Sequence, residues 1–209
     1  MKLRDSENIY VLGGFLGAVS IVAALMLALV SQWTGEPIKN ALENNRSKVF
    51  HRLMLPEFDC AGREINIGKF VFIPLQKGDD TIGFVGQGSI GGYGGNIEIL
   101  VGFDLSGKIT AVQVLRHKET PGLGAKVCER KFQRTVLNLA EVAPDVPGNE
   151  LLDQFNGKSA FASGNWRISK DGGDFIYLTG ATVTSRAITE LVNDMAKVFS
   201  DSALVGGEK

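Results

Sequence analysis

From Ile9 to Val30 the chain runs 22 residues without a charge (IYVLGGFLGAVSIVAALMLALV) and continues through Ser31, Gln32 and Trp33. At the helical rise of about 1.5 Å per residue, such a run crosses a hydrocarbon layer about 30 Å thick. Tyr10 and Trp33 stand near its two ends, where amphipathic rings favour the water interface. A cleaved signal peptide and a buried helix are the alternatives. The run exceeds an ordinary signal h-region and no small-x-small cleavage site follows it, so residues 9–33 read as one membrane anchor in contact with lipid. Basic residues are nearly balanced, Lys2 and Arg4 against Lys39, Arg46 and Lys48. A short stub (1–8) before a single span makes a cytoplasmic N-terminus the simpler topology. Everything after Gln32 then lies on the extracytoplasmic side of the cell (inner) membrane.

The rest of the chain suits one soluble domain. Its 209 residues are 44% hydrophobic and 22% charged, ordinary globular values that argue against bulk disorder. A net charge of −1 and a pI of about 6.2 supply no basic field, so nucleic acid is not an expected partner. Pro37 opens a helix read over residues 36–54 of a juxtamembrane segment (34–56), which Pro56 closes. Strand-like runs follow at 69–75, 81–86, 96–103 and 108–116. The last two are joined by Asp104-Leu105-Ser106-Gly107, a hairpin loop with glycine where positive φ is needed. A helix is expected over 126–142, a strand over 166–169, and a final helix with Ala187, Ile188, Leu191, Val192, Met195, Val198 and Phe199 on its apolar face. Residues 204–209 read as a flexible tail. Antiparallel runs with intervening helices imply an α+β domain over 57–203 rather than a wound parallel sheet.

Several chemistries are unsupported. Two histidines and two cysteines at 51, 117, 60 and 128 have no metal-ligand spacing, and no serine sits in a G-x-S-x-G elbow. Cys60 and Cys128 permit a disulfide or remain two thiols. Gly86-Gln87-Gly88-Ser89-Ile90-Gly91 matches G-x-G-x-x-G, but Gly92-Tyr93-Gly94-Gly95 and another strand come next, so no helix opens there to receive a pyrophosphate. A glycine-rich turn presenting Tyr93, where a ligand approaches the backbone closely, is the better reading.

Two segments carry more. In His117-Lys118-Glu119-Thr120-Pro121-Gly122-Leu123-Gly124, Pro-Gly predicts a type II turn between a strand and a helix. The segment is either a plain connection with Thr120 and Glu119 as caps, or a rigid loop offering a carboxylate, a hydroxyl and Leu123 to a planar ligand. In Thr179-Gly180-Ala181-Thr182-Val183-Thr184-Ser185, Thr182 stands at the start of the final helix, where free N–H groups and the dipole favour an anion. A phosphate esterified to Thr182 would find Thr184, Ser185 and backbone amides as donors. The alternative is helix capping by Thr184 or Ser185.

Thr179-Gly180-Ala181-Thr182 resembles the flavinylation motif of the FMN-binding domain family shared by RnfG and NqrC, membrane-anchored subunits of ion-pumping redox complexes. Lys170-Asp171-Gly172-Gly173-Asp174-Phe175 ahead of it, with the shortness of the chain, is similar to the RnfG branch. The E-T-P-G-L-G loop at 119–124 and the G-Y-x-G element at 92–95 match the same family. The resemblance implies that a flavin transferase attaches FMN through its phosphate to Thr182. It implies that Glu119, Thr120, Leu123 and Gly124 lie against the flavin, with Tyr93, Lys170, Thr179, Gly180, Ala181, Thr184 and Ser185 completing the site. A threonine hydroxyl with no base beside it needs such an outside enzyme. The family further implies partnership with the other subunits of a membrane complex coupling ferredoxin/NAD electron transfer to Na+ or H+ movement, with no substrate turned over by this subunit alone. A stand-alone anchored flavoprotein shuttle and an unflavinylated binding module are the competing readings. One departure stands out: the family motif commonly has aspartate three residues before the first threonine, where this chain has Ile176, with Asp174 two positions earlier.

Overall fold

The structure, a computed structural model, describes residues 9–49, 58–130, 147–161, 164–202 and 204. Expectations for the stub (1–8), the end of the juxtamembrane segment (50–56), residues 131–142 and the tail beyond 204 fall outside these residues. The chain divides into two units, Met1–Arg46 and Ser47–Lys209.

The first unit is dominated by α1 (Ile9–Val49), one unbroken helix of 41 residues. The span and the juxtamembrane helix, expected as separate elements, are therefore continuous. Pro37 removes one N–H from the ladder, yet the helix runs on through it to Val49. Tyr10–Thr34, 25 residues, is long and apolar enough to cross a membrane, and none of its side chains is buried. An apolar helix exposed all round suggests a membrane anchor rather than a core helix.

Among the described residues of the second unit, six strands form one antiparallel sheet: β1 (Cys60–Ala61), β2 (Ile65–Ile67), β3 (Phe70–Lys77), β4 (Asp80–Gly91), β5 (Asn96–Asp104) and β6 (Ile109–Arg116). The spatial order is β1-β3-β4-β5-β6, with β2 also paired to β3. The four longer strands are those read from the sequence; β1 and β2 are too short to announce themselves by alternation. The β5–β6 hairpin closes as expected, with Gly107 at φ 73° and Asp104 accepting from the N–H groups of Gly107 and Lys108.

Alternation sends Phe70, Phe72, Phe84, Ile99, Val101, Phe103, Val112 and Val114 to one face, and Ile73, Leu75, Val85, Leu100 and Ala111 to the other. The final helix, α4 (Thr182–Asp201), lies on the first face through Ile188, Leu191, Val192, Met195 and Phe199. Phe199 stacks on Phe103 at 4.3 Å and touches Phe72 and Phe84 at 5.7 and 5.6 Å. Here the glycines of the false dinucleotide motif find their use. A Cβ on Gly86 would meet the Met195 sulfur, and one on Gly88 would come within 2.8 Å of the Phe70 ring. They are smooth strand positions that let the helix come close.

Two expectations need correction. Of the helix foreseen over 126–142, the described part is α2 (Gly124–Cys128), which ends where Glu129 turns extended (φ −100°, ψ 138°), so the helical run is interrupted there; residues 131–142 lie outside the described residues. Its last carbonyls are taken by Asn149, whose Nδ2 donates to the carbonyls of Lys126, Val127 and Glu129 while its Oδ1 caps α3 (Glu150–Asp153). The strand foreseen at 166–169 is reduced to one bridge, Ile168 to Phe175, because the chain turns back through a 3-10 turn at Ser169–Asp171 and left-handed Gly172. Phe175 is thereby set on Phe155 (4.8 Å) and Trp166 (5.2 Å). Behind α2, the Arg130 guanidinium donates to the Val112 carbonyl, to Gln113 and, at 2.6 Å, to Asp153.

Gly88→Ala is expected to cost about 1–3 kcal/mol by overpacking, seen as a lower denaturation midpoint with unchanged slope. Burial opposes the charge on Asp153, yet hydrogen bonds from Arg130 and the Asn149 N–H prevail and hold its carboxyl below the ordinary 3.8. A depressed folded pKa adds stability that is present above the unfolded value and lost as pH falls through the folded one. Asp171, held low by Arg186, titrates in the same acid window. Unfolding curves of the parent should therefore lose stability below about pH 4, and Asp153→Asn should show less of that loss on a lower plateau.

Candidate functional site

Three segments distant in sequence meet above one end of α4. The first is the turn between β4 and β5, closed by a hydrogen bond from the Gly92 N–H to the Gly95 carbonyl (2.8 Å). The second is the loop from β6 to α2. Thr120-Pro121-Gly122-Leu123 forms the expected turn, with Gly122 at φ 80° and the Leu123 N–H on the Thr120 carbonyl at 3.2 Å. The third is a 3-10 turn, Thr179–Ala181, running straight into α4.

Glu119 ties all three together. It is 5% exposed; one carboxylate oxygen accepts from the Gly94 N–H at 3.0 Å and the other from the Thr184 hydroxyl at 2.7 Å. Its own N–H donates to Nδ1 of His117 (3.2 Å), whose Nε2 faces Glu129 at 3.4 Å. A Cβ on Gly92 or Gly124 would run into the Glu119 carboxylate, and one on Gly94 into the Lys118 carbonyl. These glycines are spaces reserved for a buried acid and the backbone beside it.

The result is a cleft of about 330 Å³. From the first two segments it takes Tyr93, Glu119, Thr120, Leu123 and Gly124; from the third, Thr179, Gly180, Ala181, Thr182, Val183 and Thr184. Ten of the twelve residues singled out from the sequence thus come together. Lys170 and Ser185 do not line it. Val183, which was not foreseen, does. Two larger concavities, of about 480 and 770 Å³, contain no residue of Thr179–Thr184.

The capping alternative for Thr184 and Ser185 is not realised. Ala181 occupies the N-cap position and no side chain caps α4, so Thr184 and Ser185 already lie in the first turn and face inward. Thr184 gives its hydroxyl to Glu119, and Ser185 Oγ accepts the Leu178 N–H at 3.3 Å. The same geometry commits the Thr184 hydroxyl to Glu119 and buries that of Ser185, leaving the first-turn N–H groups as the donors at the helix start. Thr182 is the first residue of α4, half-buried, its hydroxyl 3.3 Å from the Thr179 carbonyl. Around it Tyr93, Leu123 and Val183 are 75%, 48% and 46% exposed, an apolar rim unusual beside an open helix end.

The Lys170–Phe175 string is a brace. Asp171 receives both Nε and an Nη of Arg186 (2.7 and 2.9 Å), fixing the loop to α4 one turn beyond Thr182. Ile176 points outward, its backbone held from both sides by the Gln154 amide (2.7 and 3.2 Å). Gln154 carries no motif and was invisible in the sequence. Both cysteines are free: Cys60 is exposed on β1, while burial, then the charges of Glu119 and Glu129, push the Cys128 thiol up to about 12.

An antiparallel sheet backed by one long helix, with an apolar-rimmed cleft over that helix's uncapped N-terminus, has the layout of a binding domain, able to receive a ligand with a flat apolar part and an anionic tail. The family profile of the FMN-binding domain matches residues 92–197. The G subunit of the ion-translocating oxidoreductase complex (RnfG) of Shewanella baltica (strain OS223) is 28% identical over 93% of this chain and 95% of its own length. The protein of that name from Pseudomonas aeruginosa (strain UCBPP-PA14) is 30% identical over 88% of this chain and 85% of its own. The one from Aliivibrio fischeri (strain MJ11) is 41% identical over 48% of this chain and 41% of its own. The chain belongs to the FMN-binding domain family and, within it, to the RnfG group.

Gly124→Ala should expel either Glu119 or Thr184 from the clasp. We expect a loss of about 1–3 kcal/mol in thermal unfolding, whereas Gly122→Asn, at a left-handed position open to solvent, should change stability far less.

Proposed function

We propose that this chain is an electron-carrying subunit with FMN joined by a phosphoester to Thr182, working in a membrane complex that couples ferredoxin/NAD electron transfer to Na+ or H+ translocation. The observation that carries the reading is the convergence of Tyr93, Glu119, Leu123 and Thr182, from three separate segments, on one cleft at an uncapped helix N-terminus. FMN fits that chemistry: a phosphate at Thr182 meets first-turn N–H groups, and the flat ring meets Tyr93, Leu123 and Val183. The flavin, when bound, supplies the redox chemistry; the chain supplies position, exclusion of water on one side and the local field.

Thr182 has no histidine, lysine or carboxylate bonded to its hydroxyl among the described residues, so a separate flavin transferase makes the ester. Membership of the RnfG group favours a complex over a stand-alone shuttle, the other subunits being its partners in electron transfer. The helix at Tyr10–Thr34 anchors the chain in the cell membrane, N-terminus inside, with the FMN-binding domain on the extracytoplasmic side.

Co-expression with a flavin transferase, followed by intact mass and in-gel fluorescence after denaturation, tests the attachment. The parent should gain one FMN and fluoresce, and Thr182→Ala should do neither while still reaching the membrane fraction. A parent of unmodified mass beside a labelled control substrate would end the covalent reading and direct attention to Ile176. For the complex, Thr182→Ala should assemble with the other subunits yet abolish electron transfer through them; undiminished activity would reject the carrier role.

A further inference from the structure

Glu119 is unusual for what it lacks. Among the described residues no lysine, arginine or histidine forms an ion pair with its carboxylate, although the side chain is almost wholly buried. The Gly94 N–H and the Thr184 hydroxyl are neutral donors, one to each oxygen, so the carboxylate is hydrogen-bonded on both sides by groups that bring no positive charge. Burying a charge without a counter-ion is costly, and a neutral glutamine of the same shape would fill the space. Its field reaches its surroundings: after burial itself, Glu119 is the largest contributor to the raised pKa of the Cys128 thiol, whose ionisation would also add negative charge. The acid lines the same cleft as Thr182.

We propose that Glu119 sets the redox potential of the flavin held in this cleft, its buried carboxylate opposing the gain of negative charge that accompanies reduction. The proposal rests on the flavin reading above. Any group that takes up an electron here does so beside a fixed negative charge screened by protein rather than water, so its reduced form is disfavoured and its potential lowered. Gly92, Gly94 and Gly124 keep the acid in place, and Thr184 and Gly94 moderate its charge without neutralising it. Glu119 is in this sense an electrostatic and positioning residue, with no bond made to it or broken.

The test is a spectroelectrochemical titration of the full-length, flavin-loaded protein in detergent, with mediators and dithionite as reductant. Parent, Glu119→Gln and Thr184→Val are compared, flavin loading and melting temperature being recorded for each. Glu119→Gln removes the charge and keeps the shape; its midpoint potential should rise. Thr184→Val loosens the clasp and keeps the charge; it should melt lower than the parent with a potential no higher. A Glu119→Gln potential equal to the parent's overturns the proposal, as does an equal rise in both variants, which would mark Glu119 as merely structural. Should Glu119→Gln fail to load, Thr184→Val decides: a potential at or below the parent's supports the proposal, and a raised one rejects it. Absence of flavin from the parent itself is a failure of the attachment reading, recognised by mass and fluorescence before any titration begins.

Discussion

The hydrogen bond from the Thr184 hydroxyl to the Glu119 carboxylate, 2.7 Å long and buried, joins elements 65 residues apart. It is the polar hold of the β6–α2 loop on α4 among the described residues, and the other oxygen of the same carboxylate, by accepting from the Gly94 N–H, binds the Gly92–Gly95 turn to that loop. A buried acceptor left without its donor costs the desolvation of the group, about 1–3 kcal/mol and more when charged. All three walls of the cleft are thus committed to one side chain. The glycines at 92 and 124 follow from that commitment, because any Cβ there occupies the carboxylate's place.

Much of the frame was legible because it obeys one periodicity at a time. The apolar runs at 96–103 and 108–116 become β5 and β6, and the three- and four-residue spacing from Ile188 to Phe199 survives in α4. What was not legible depends on partners distant in sequence. Nothing in residues 126–130 says that Asn149 will take the carbonyls of Lys126, Val127 and Glu129, where α2 ends at Cys128. Nothing in 166–169 says that Gly172 will turn the chain back within three residues. The strings that line the cleft are local. T-G-A-T and E-T-P-G-L-G have backbone needs written in Pro, Gly and Thr, whereas the inward turn of Thr184 and Ser185 follows from α4 beginning at Thr182, a start that the sequence left open against capping by Thr184 or Ser185.

The literal dinucleotide motif shows how one composition serves two physical ends. At a helix start, glycines admit a phosphate to the backbone. At positions 86 and 88 of a strand, on the face beneath α4, they admit the Met195 thioether and the Phe70 ring. The deciding context lies downstream of the glycines. Gly91 ends a strand, and the turn beyond it returns to the sheet, so no helix dipole is available to an anion there. The anion-compatible helix start lies instead at Thr182, about 90 residues later in the chain.

An uncapped N-terminus forgoes about 1 kcal/mol that Ser, Asp or Asn at the cap would provide. The helix tolerates this because its hold on the sheet lies elsewhere. Leu191, Val192, Met195 and Phe199 are fully buried, and burial of each such side chain is worth about 1.5–3 kcal/mol. Arg186 adds its bidentate grip on Asp171 between the two ends. The fastening is therefore concentrated along the rest of the element: residues from 184 onward hold it, Thr184 through Glu119, while Thr182 and Val183 remain accessible at its start. The division also explains why Ala181 is acceptable at the cap. A side chain able to cap the helix would compete for the same N–H groups that an anion esterified to Thr182 would need.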